Sequence, residues 1–233
     1  MFKGHVSASR FSARLRFLHT CSMRIEQINT GRRTTMVVGN RELETGIIKT
    51  ARAGAVKVGE LGLEGDAICN MKHHGGPDQA VYLYALEDYA FWERQLKREM
   101  PPGTFGENLT VTGSDLQQLC VGDVLTAPGV TLQVTAPRIP CNTLAARMED
   151  RQFARKFVQA NRSGAYCRVL KEGHLTAGDE FTWSPYEGDR ISLATFFEDS
   201  HRRLSADTLR RYLCVPIDER SRRDFEKDLQ KAE

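Results

Sequence analysis

The sequence predicts a mainly β fold, a closed or partly closed barrel with interspersed helices, followed by a small unit of three helices. Three observations carry this reading. From residue 25 to residue 183 the chain is a series of short apolar segments punctuated by glycine. These segments do not alternate regularly with helical patterns, as a doubly wound parallel sheet requires. Beyond residue 183 the periodicity is helical throughout.

Strands are expected at residues 25–30, 46–51, 55–58, 81–85, 109–112, 124–126, 130–135, 164–170 and 180–183. Three helices interrupt them. Residues 87–97 place Tyr89, Trp92 and Leu96 on one face, residues 143–148 form a second, short helix, and residues 152–160 carry Phe153, Phe157 and Ala160 as a buried stripe. The turn-rich Ser184-Pro185-Tyr186-Glu187-Gly188-Asp189 then opens the tail. Helices follow at 191–197, 206–213 and 218–231, with Ser205 as an N-cap and Pro216 separating the last two. Leu209, Leu213, Ile217, Phe225 and Leu229 supply an apolar seam. A unit of about 45 residues is too small to stand alone, so it is expected to dock on the barrel. The division is a leader at 1–22, a barrel domain at 23–184 and a helical domain at 185–233.

Charge and composition narrow the function. The net charge is +3, but residues 1–22 hold Lys3, Arg10, Arg14 and Arg16 and no acid, which leaves 29 basic against 30 acidic residues beyond them. The body of the chain has no bulk electrostatic reason to bind nucleic acid or anionic lipid. The longest apolar run, Ala80 to Leu86, is far short of the roughly 20 residues of a membrane span. The Arg- and Ser-rich, acid-free leader has the composition of a mitochondrial transit peptide; the other reading is an upstream extension before a cytoplasmic form starting at Met23. Localisation is therefore expected to be cytoplasmic or mitochondrial.

Six cysteines, at 21, 69, 120, 141, 167 and 214, show no C-x-x-C pair. Their wide spacing argues for reduced thiols, most of them small core residues, and against a zinc ribbon. Two segments stand out. In Lys72-His73-His74-Gly75-Gly76-Pro77-Asp78-Gln79, glycines allow close backbone approach beside cationic donors, which suits an anionic group such as phosphate; a plain polar connection is the other reading. Cys69 and His73 resemble half of a zinc site, with no second pair at ligand spacing. In Pro137-Arg138-Ile139-Pro140-Cys141-Asn142, a thiol lies between a strand end and a helix start next to an arginine. That setting lowers a thiol's pKa and makes it a nucleophile or soft metal ligand, unless it is an inert packing residue. A third fragment, Phe105-Gly106-Glu107-Asn108-Leu109, offers an acid and an amide on a glycine turn.

In order, LGLEGD at 61–66, HGGPDQA at 74–80, GTFGENLTV at 103–111, VGDVL at 121–125 and TAPRIPC at 135–141 resemble the MOSC family, the molybdenum cofactor sulfurase C-terminal domains. The resemblance covers roughly residues 40–183, and the tail is similar to the three-helix domain of the subgroup of the bacterial hydroxylaminopurine resistance protein. The resemblance implies a β-barrel that binds a molybdopterin-type molybdenum cofactor, with Cys141 as the metal ligand. It implies Lys72, His74, Gly75 and Gly76 as the loop holding the pterin and its phosphate, and Asp78, Glu107, Asn108 and Arg138 as polar groups around cofactor or substrate. Cys141, Arg138, Asn108 and Glu107 form the implied catalytic set. His73 departs from the pattern. The implied reaction reduces N-hydroxylated bases and related compounds to amines.

The chain carries no C-x-x-C-H haem motif, no G-x-G-x-x-G fingerprint and no ferredoxin-like cysteine run, so electrons are expected from a separate protein. No zinc, haem, flavin or nicotinamide site is expected, and the reading leaves room for a homodimer. Two other functions fit the same residues: a sulfur carrier using a Cys141 persulfide, and a non-catalytic molybdenum cofactor carrier.

Overall fold

The structure is a computed structural model that describes residues 22–70 and 74–232. Most of the leader, together with Lys72 and His73, lies outside the described residues. In chain order the strands are β1 (Met23–Gly31), β2 (Thr34–Val38), β3 (Arg41–Thr45), β4 (Lys49–Ala51), β5 (Val56–Gly59), β6 (Gly62–Leu63) and β7 (Val81–Ala85). Helix α1 (Leu86–Leu96) then leads to β8 (Leu109–Thr112), β9 (Val124–Thr126) and β10 (Thr131–Pro137). Helices α2 (Asn142–Arg147) and α3 (Phe153–Ala160) precede β11 (Ala165–Lys171), β12 (Gly173–Leu175) and β13 (Glu180–Ser184). The tail holds α4 (Leu193–Asp199), α5 (Ala206–Leu213) and α6 (Glu219–Ala232).

The main sheet runs β13-β9-β10-β11-β7-β8-β1-β4, and a further β13–β1 pairing closes it into a barrel. The seam consists of two residue pairs, Met23 with Phe181 and Arg24 with Glu180. All barrel neighbours are antiparallel except β7 and β8, which are parallel because α1 carries the chain across between them. Alternating apolar residues such as Ile25, Val111, Leu125, Leu132 and Val134 fill the interior, all with no exposed surface. Burying each such side chain contributes about 1.5–3 kcal/mol.

Outside the barrel wall an aromatic cluster packs α1 and α3. Tyr84 stacks on Phe105 at 4.1 Å, Trp92 lies parallel to Phe157 at 6.0 Å, and the Trp92 indole donates to the Tyr84 hydroxyl at 2.7 Å. Tyr89 and Trp92 are buried as the helical spacing requires, with Leu96 packed at the edge.

The tail docks tightly. Ile191, Phe196, Tyr212, Val215 and Ile217 form one apolar cluster with Val121 and Ala136 of the barrel, while Phe197 joins the aromatic cluster. The fully buried Asp123 carboxylate accepts from Cys120 N (2.8 Å), Trp183 Nε1 (2.9 Å) and Tyr186 N (2.8 Å), and it pairs with Arg190. Ser205 caps α5 by accepting from Thr208 N at 3.2 Å, as its sequence position predicts.

Several expectations are corrected. The β2–β3 hairpin is not among the expected strands, because β2 alternates only between half-buried and exposed residues and β3 is exposed but for Thr45. The strand expected at 46–51 begins only at Lys49. A Cβ at Gly46 would meet Ala67 O at 1.8 Å, so the chain there passes against residues 64–70 rather than joining a ladder. The five described cysteines are free thiols, but only Cys120 and Cys167 are buried; Cys69 and Cys141 are half-buried and Cys214 is exposed. No helix among the described residues is long and apolar enough to cross a membrane.

Candidate functional site

On the outer face of β7 and β11, beside the aromatic cluster, lies a cavity of about 360 Å³. Five segments meet there: the β2–β3 hairpin, the stretch from Gly46 to Lys49, the loop before β7, the turn before β8, and the loop between β10 and α2. Its size is that of a small-molecule or cofactor pocket.

Cys141 follows the end of β10 and immediately precedes α2, with extended backbone (φ −125°, ψ 168°). Burial by itself raises the Cys141 thiol. The polar contact from His74, the Arg138 guanidinium, the charge of His74 and the Leu144 N–H outweigh it and hold the thiol at about 6. The thiol is thus a thiolate in neutral water. Arg138 is buried, donates to Phe105 O and lies 5.0 Å from the Tyr82 ring centroid. Tyr82 and Tyr166, paired across β7 and β11, lie with tilted rings 4.9 Å apart and line the cavity beneath it. Burial pushes both phenols up from their ordinary range, so both keep their protons.

The loop before β7 brings His74 and Gly75 to the cavity. Gly75 and Gly76 have φ of 72° and 85°, a left-handed pair that side-chain-bearing residues rarely adopt. Asn108 also lines the cavity, and its amide donates to Asp66 at 2.8 Å. Cys141, Arg138, His74, Gly75 and Asn108 are therefore brought together, while Gly76 is adjacent to the wall.

Two predicted residues are not at the wall. Glu107 has no exposed surface, and one oxygen accepts from Tyr89 (2.6 Å), Gly103 N (2.6 Å) and Thr110 (2.7 Å). It staples the turn before β8, and burial raises its carboxyl pKa. Asp78 points outward to the tail, pairing with Arg168 at 3.0 Å and accepting from Glu219 N at 2.8 Å at the start of α6. The next residue of α6, Arg220, donates to Gly75 O at 2.9 Å. Asp78 thus holds the glycine loop from behind.

Sequence reasoning missed Lys49, Asp66, Tyr82 and Tyr166. Lys49 begins a short strand and Asp66 ends the LGLEGD motif, yet they form a nearly buried ion pair of 2.5 Å in the cavity wall. The apolar strand pattern around the two tyrosines gave no sign that they face a cavity.

Residues 70–182 match the MOSC domain profile. The chain is 38% identical over 151 residues to the uncharacterized protein YflK of Bacillus subtilis, covering 65% of this chain and 68% of YflK. It is 31% identical to YiiM of Escherichia coli over 56% of this chain and 60% of that protein. A Gibberella moniliformis protein named reductase matches at 31% identity over 66% of this chain, but the match spans only 28% of the fungal protein. The crystal structure of YiiM from Geobacillus stearothermophilus superposes with a TM-score of 0.75 at 29% identity, covering 89% of this chain and 99% of that one. With this fold, this identity to YflK and the profile match over residues 70–182, the chain belongs to the MOSC domain family, whose domains are associated with the molybdenum cofactor.

Proposed function

We propose that this protein is a molybdenum-cofactor-binding oxidoreductase that reduces N-hydroxylated compounds, hydroxylaminopurine-type bases among them, to amines. The observation that carries the reading is the placement of the Cys141 thiol at the start of α2, beside Arg138 and His74 in a cavity otherwise supplied with groups for an anion. Thiolate is a soft ligand suited to such a metal. Arg138 Nε and Gln79 Oε1, both on cavity-lining residues, are buried without a protein partner among the described residues. One offers a donor and the other an acceptor to a polar ligand. The donor set fits an anionic cofactor that carries a soft metal.

Cys141 would hold the metal, and Arg138, His74 and the Gly75–Gly76 backbone would hold the anionic part. Lys72 belongs to the same loop and joins this set as a proposal. When bound, the cofactor supplies two-electron redox chemistry at the substrate N–O group. The overall conversion is R–NHOH + 2e⁻ + 2H⁺ → R–NH₂ + H₂O, with electrons from a separate donor protein. The chain's own residues keep the ligand sulfur deprotonated, orient the substrate between the Tyr82–Tyr166 pair and the β2–β3 hairpin, and limit access of water. The named reductase among the relatives supports the class of reaction.

The test is metal analysis and cofactor extraction from protein made in a host competent for the molybdenum cofactor, with turnover of 6-hydroxylaminopurine under a chemical reductant. Stoichiometric molybdenum, turnover and near-complete loss of activity in Cys141→Ser are expected. Absence of molybdenum, or a persulfide on Cys141 in its place, would defeat the proposal.

A further inference from the structure

Lys49 occupies the first position of β4, where the chain leaves the cavity wall and joins the edge of the sheet. Its side chain is only 9% exposed, and its ammonium donates to Asp66 Oδ2 at 2.5 Å. Asp66, 5% exposed, is already committed: its other oxygen accepts from Gly31 N at 2.7 Å, and Oδ2 also accepts from Asn108 at 2.8 Å. An ammonium has three protons to donate. Among the described residues Asp66 is the partner of Lys49, and the space beside the ammonium is the cavity itself. A lysine buried for stability alone would be expected to spend its donors on protein atoms.

The other proton carriers of the cavity are committed elsewhere. Arg138 does not release a proton in the accessible range. Tyr82 donates its hydroxyl to Ser163 O at 2.8 Å, and burial raises both Tyr82 and Tyr166. His74 is engaged with Cys141. For Lys49, burial is the dominant influence and lowers its pKa; Asp66 and Glu107 act in the opposite direction, and Arg138 adds to the lowering. Glu42 and Glu44 of the hairpin also face the cavity.

We propose that Lys49 is a catalytic residue of the reduction described above: its ammonium hydrogen-bonds the oxygen of the substrate N–O group and gives that oxygen the proton with which it leaves as water. The inference rests on the proposed function. The N–O bond breaks and an O–H bond forms to the proton from Nζ. A second proton, from solvent, goes to nitrogen, and the two electrons come from a separate donor protein of the flavin or iron–sulfur reductase class. Solvent then returns a proton to the Lys49 amine, with Asp66 keeping it in place. Asp66 is a positioning residue.

The experiment compares full-length wild type, Lys49→Arg and Lys49→Met, made in a cofactor-competent host, for molybdenum content, thermal stability and the pH profile of kcat with 6-hydroxylaminopurine. Arginine preserves the charge and the donors but not the transferable proton. Both variants should fold and keep their molybdenum, kcat should fall about 10²–10⁴-fold, and the alkaline limb of the wild-type profile should disappear. An O-acylated N-hydroxy substrate, whose oxygen leaves without needing a proton, should recover most of the loss. In unmutated protein without substrate, competitive acylation should titrate Lys49 below the ordinary lysine value of about 10.4. An active wild type with an equally active Lys49→Arg and an unchanged alkaline limb would overturn the proton role. Loss of molybdenum from folded Lys49→Arg would overturn it too, by assigning the residue to cofactor binding. A wild type without molybdenum or turnover would instead remove the proposed function, and this inference with it.

Discussion

In cofactor-free protein Cys141 should titrate with a midpoint of about 6. At pH 7 roughly nine-tenths of it is then thiolate, against a few per cent for an ordinary thiol near 8.5. Burial favours the neutral thiol, so the depression is the work of the neighbours, His74 first and Arg138 next. His74→Ala removes both the contact and the charge of the imidazole. The midpoint should rise by about one unit or more, equivalent to about 1.4 kcal/mol per unit. The assay is site-resolved alkylation followed by mass spectrometry, from about pH 5 to about pH 9, with the exposed Cys214 as the reference thiol. The midpoint is the readout rather than the plateau rate, because nucleophilicity falls as a thiol becomes more acidic. Because the folded value lies below the unfolded one, this group's contribution to stability is complete above about pH 8.5 and disappears as pH falls through about 6. A Cys141 midpoint at or above about 8.5, or no response to His74→Ala, would refute the reasoning.

Two further outcomes follow from the way the tail is attached. Asp123→Ala removes a buried partner from Arg190 and three other donors at once. Such a loss costs about 3–5 kcal/mol, so Tm should fall by roughly 6–20 °C for a chain of this length; a thermal melt showing a smaller drop than about 3 °C would contradict it. Arg220→Ala deletes the hydrogen bond to Gly75 O, worth about 1 kcal/mol, and should leave Tm within a few degrees. Molybdenum should nonetheless be released faster on dialysis, and retention equal to wild type would show that the helix does not influence the ligand face of the loop.

Much of the barrel is legible because its strands are short apolar runs between glycine turns: residues 81–85, 109–112 and 124–126 are strands at the predicted bounds. The hairpin from 34 to 45 is not legible, since β2 offers only a half-buried face, through Met36, and β3 is exposed but for Thr45. Within the site, Cys141, Arg138 and His74 lie in loops whose composition already suggests chemistry. Lys49 looks like any strand lysine, and its significance comes only from the return of the chain at Asp66. The outward course of Asp78 and the inward burial of Glu107 are rotations of side chains at polar turns, which local composition does not encode. Tyr82 meets Tyr166 only because β7 and β11 pair across a long separation.

The two-pair seam between β1 and β13 has a mechanical meaning. Those pairs are at the beginning of β1, so a pull applied through the residues before Ser22 loads them first, together with the Arg24–Thr112 rung to β8. Once they part, β1 still hangs on β8 and β4, but the cylinder has become an open sheet with its apolar lining facing water along one slit. Resistance to threading from that end is set by Met23, Arg24, Glu180 and Phe181 and the few backbone bonds beside them, not by the size of the core behind them.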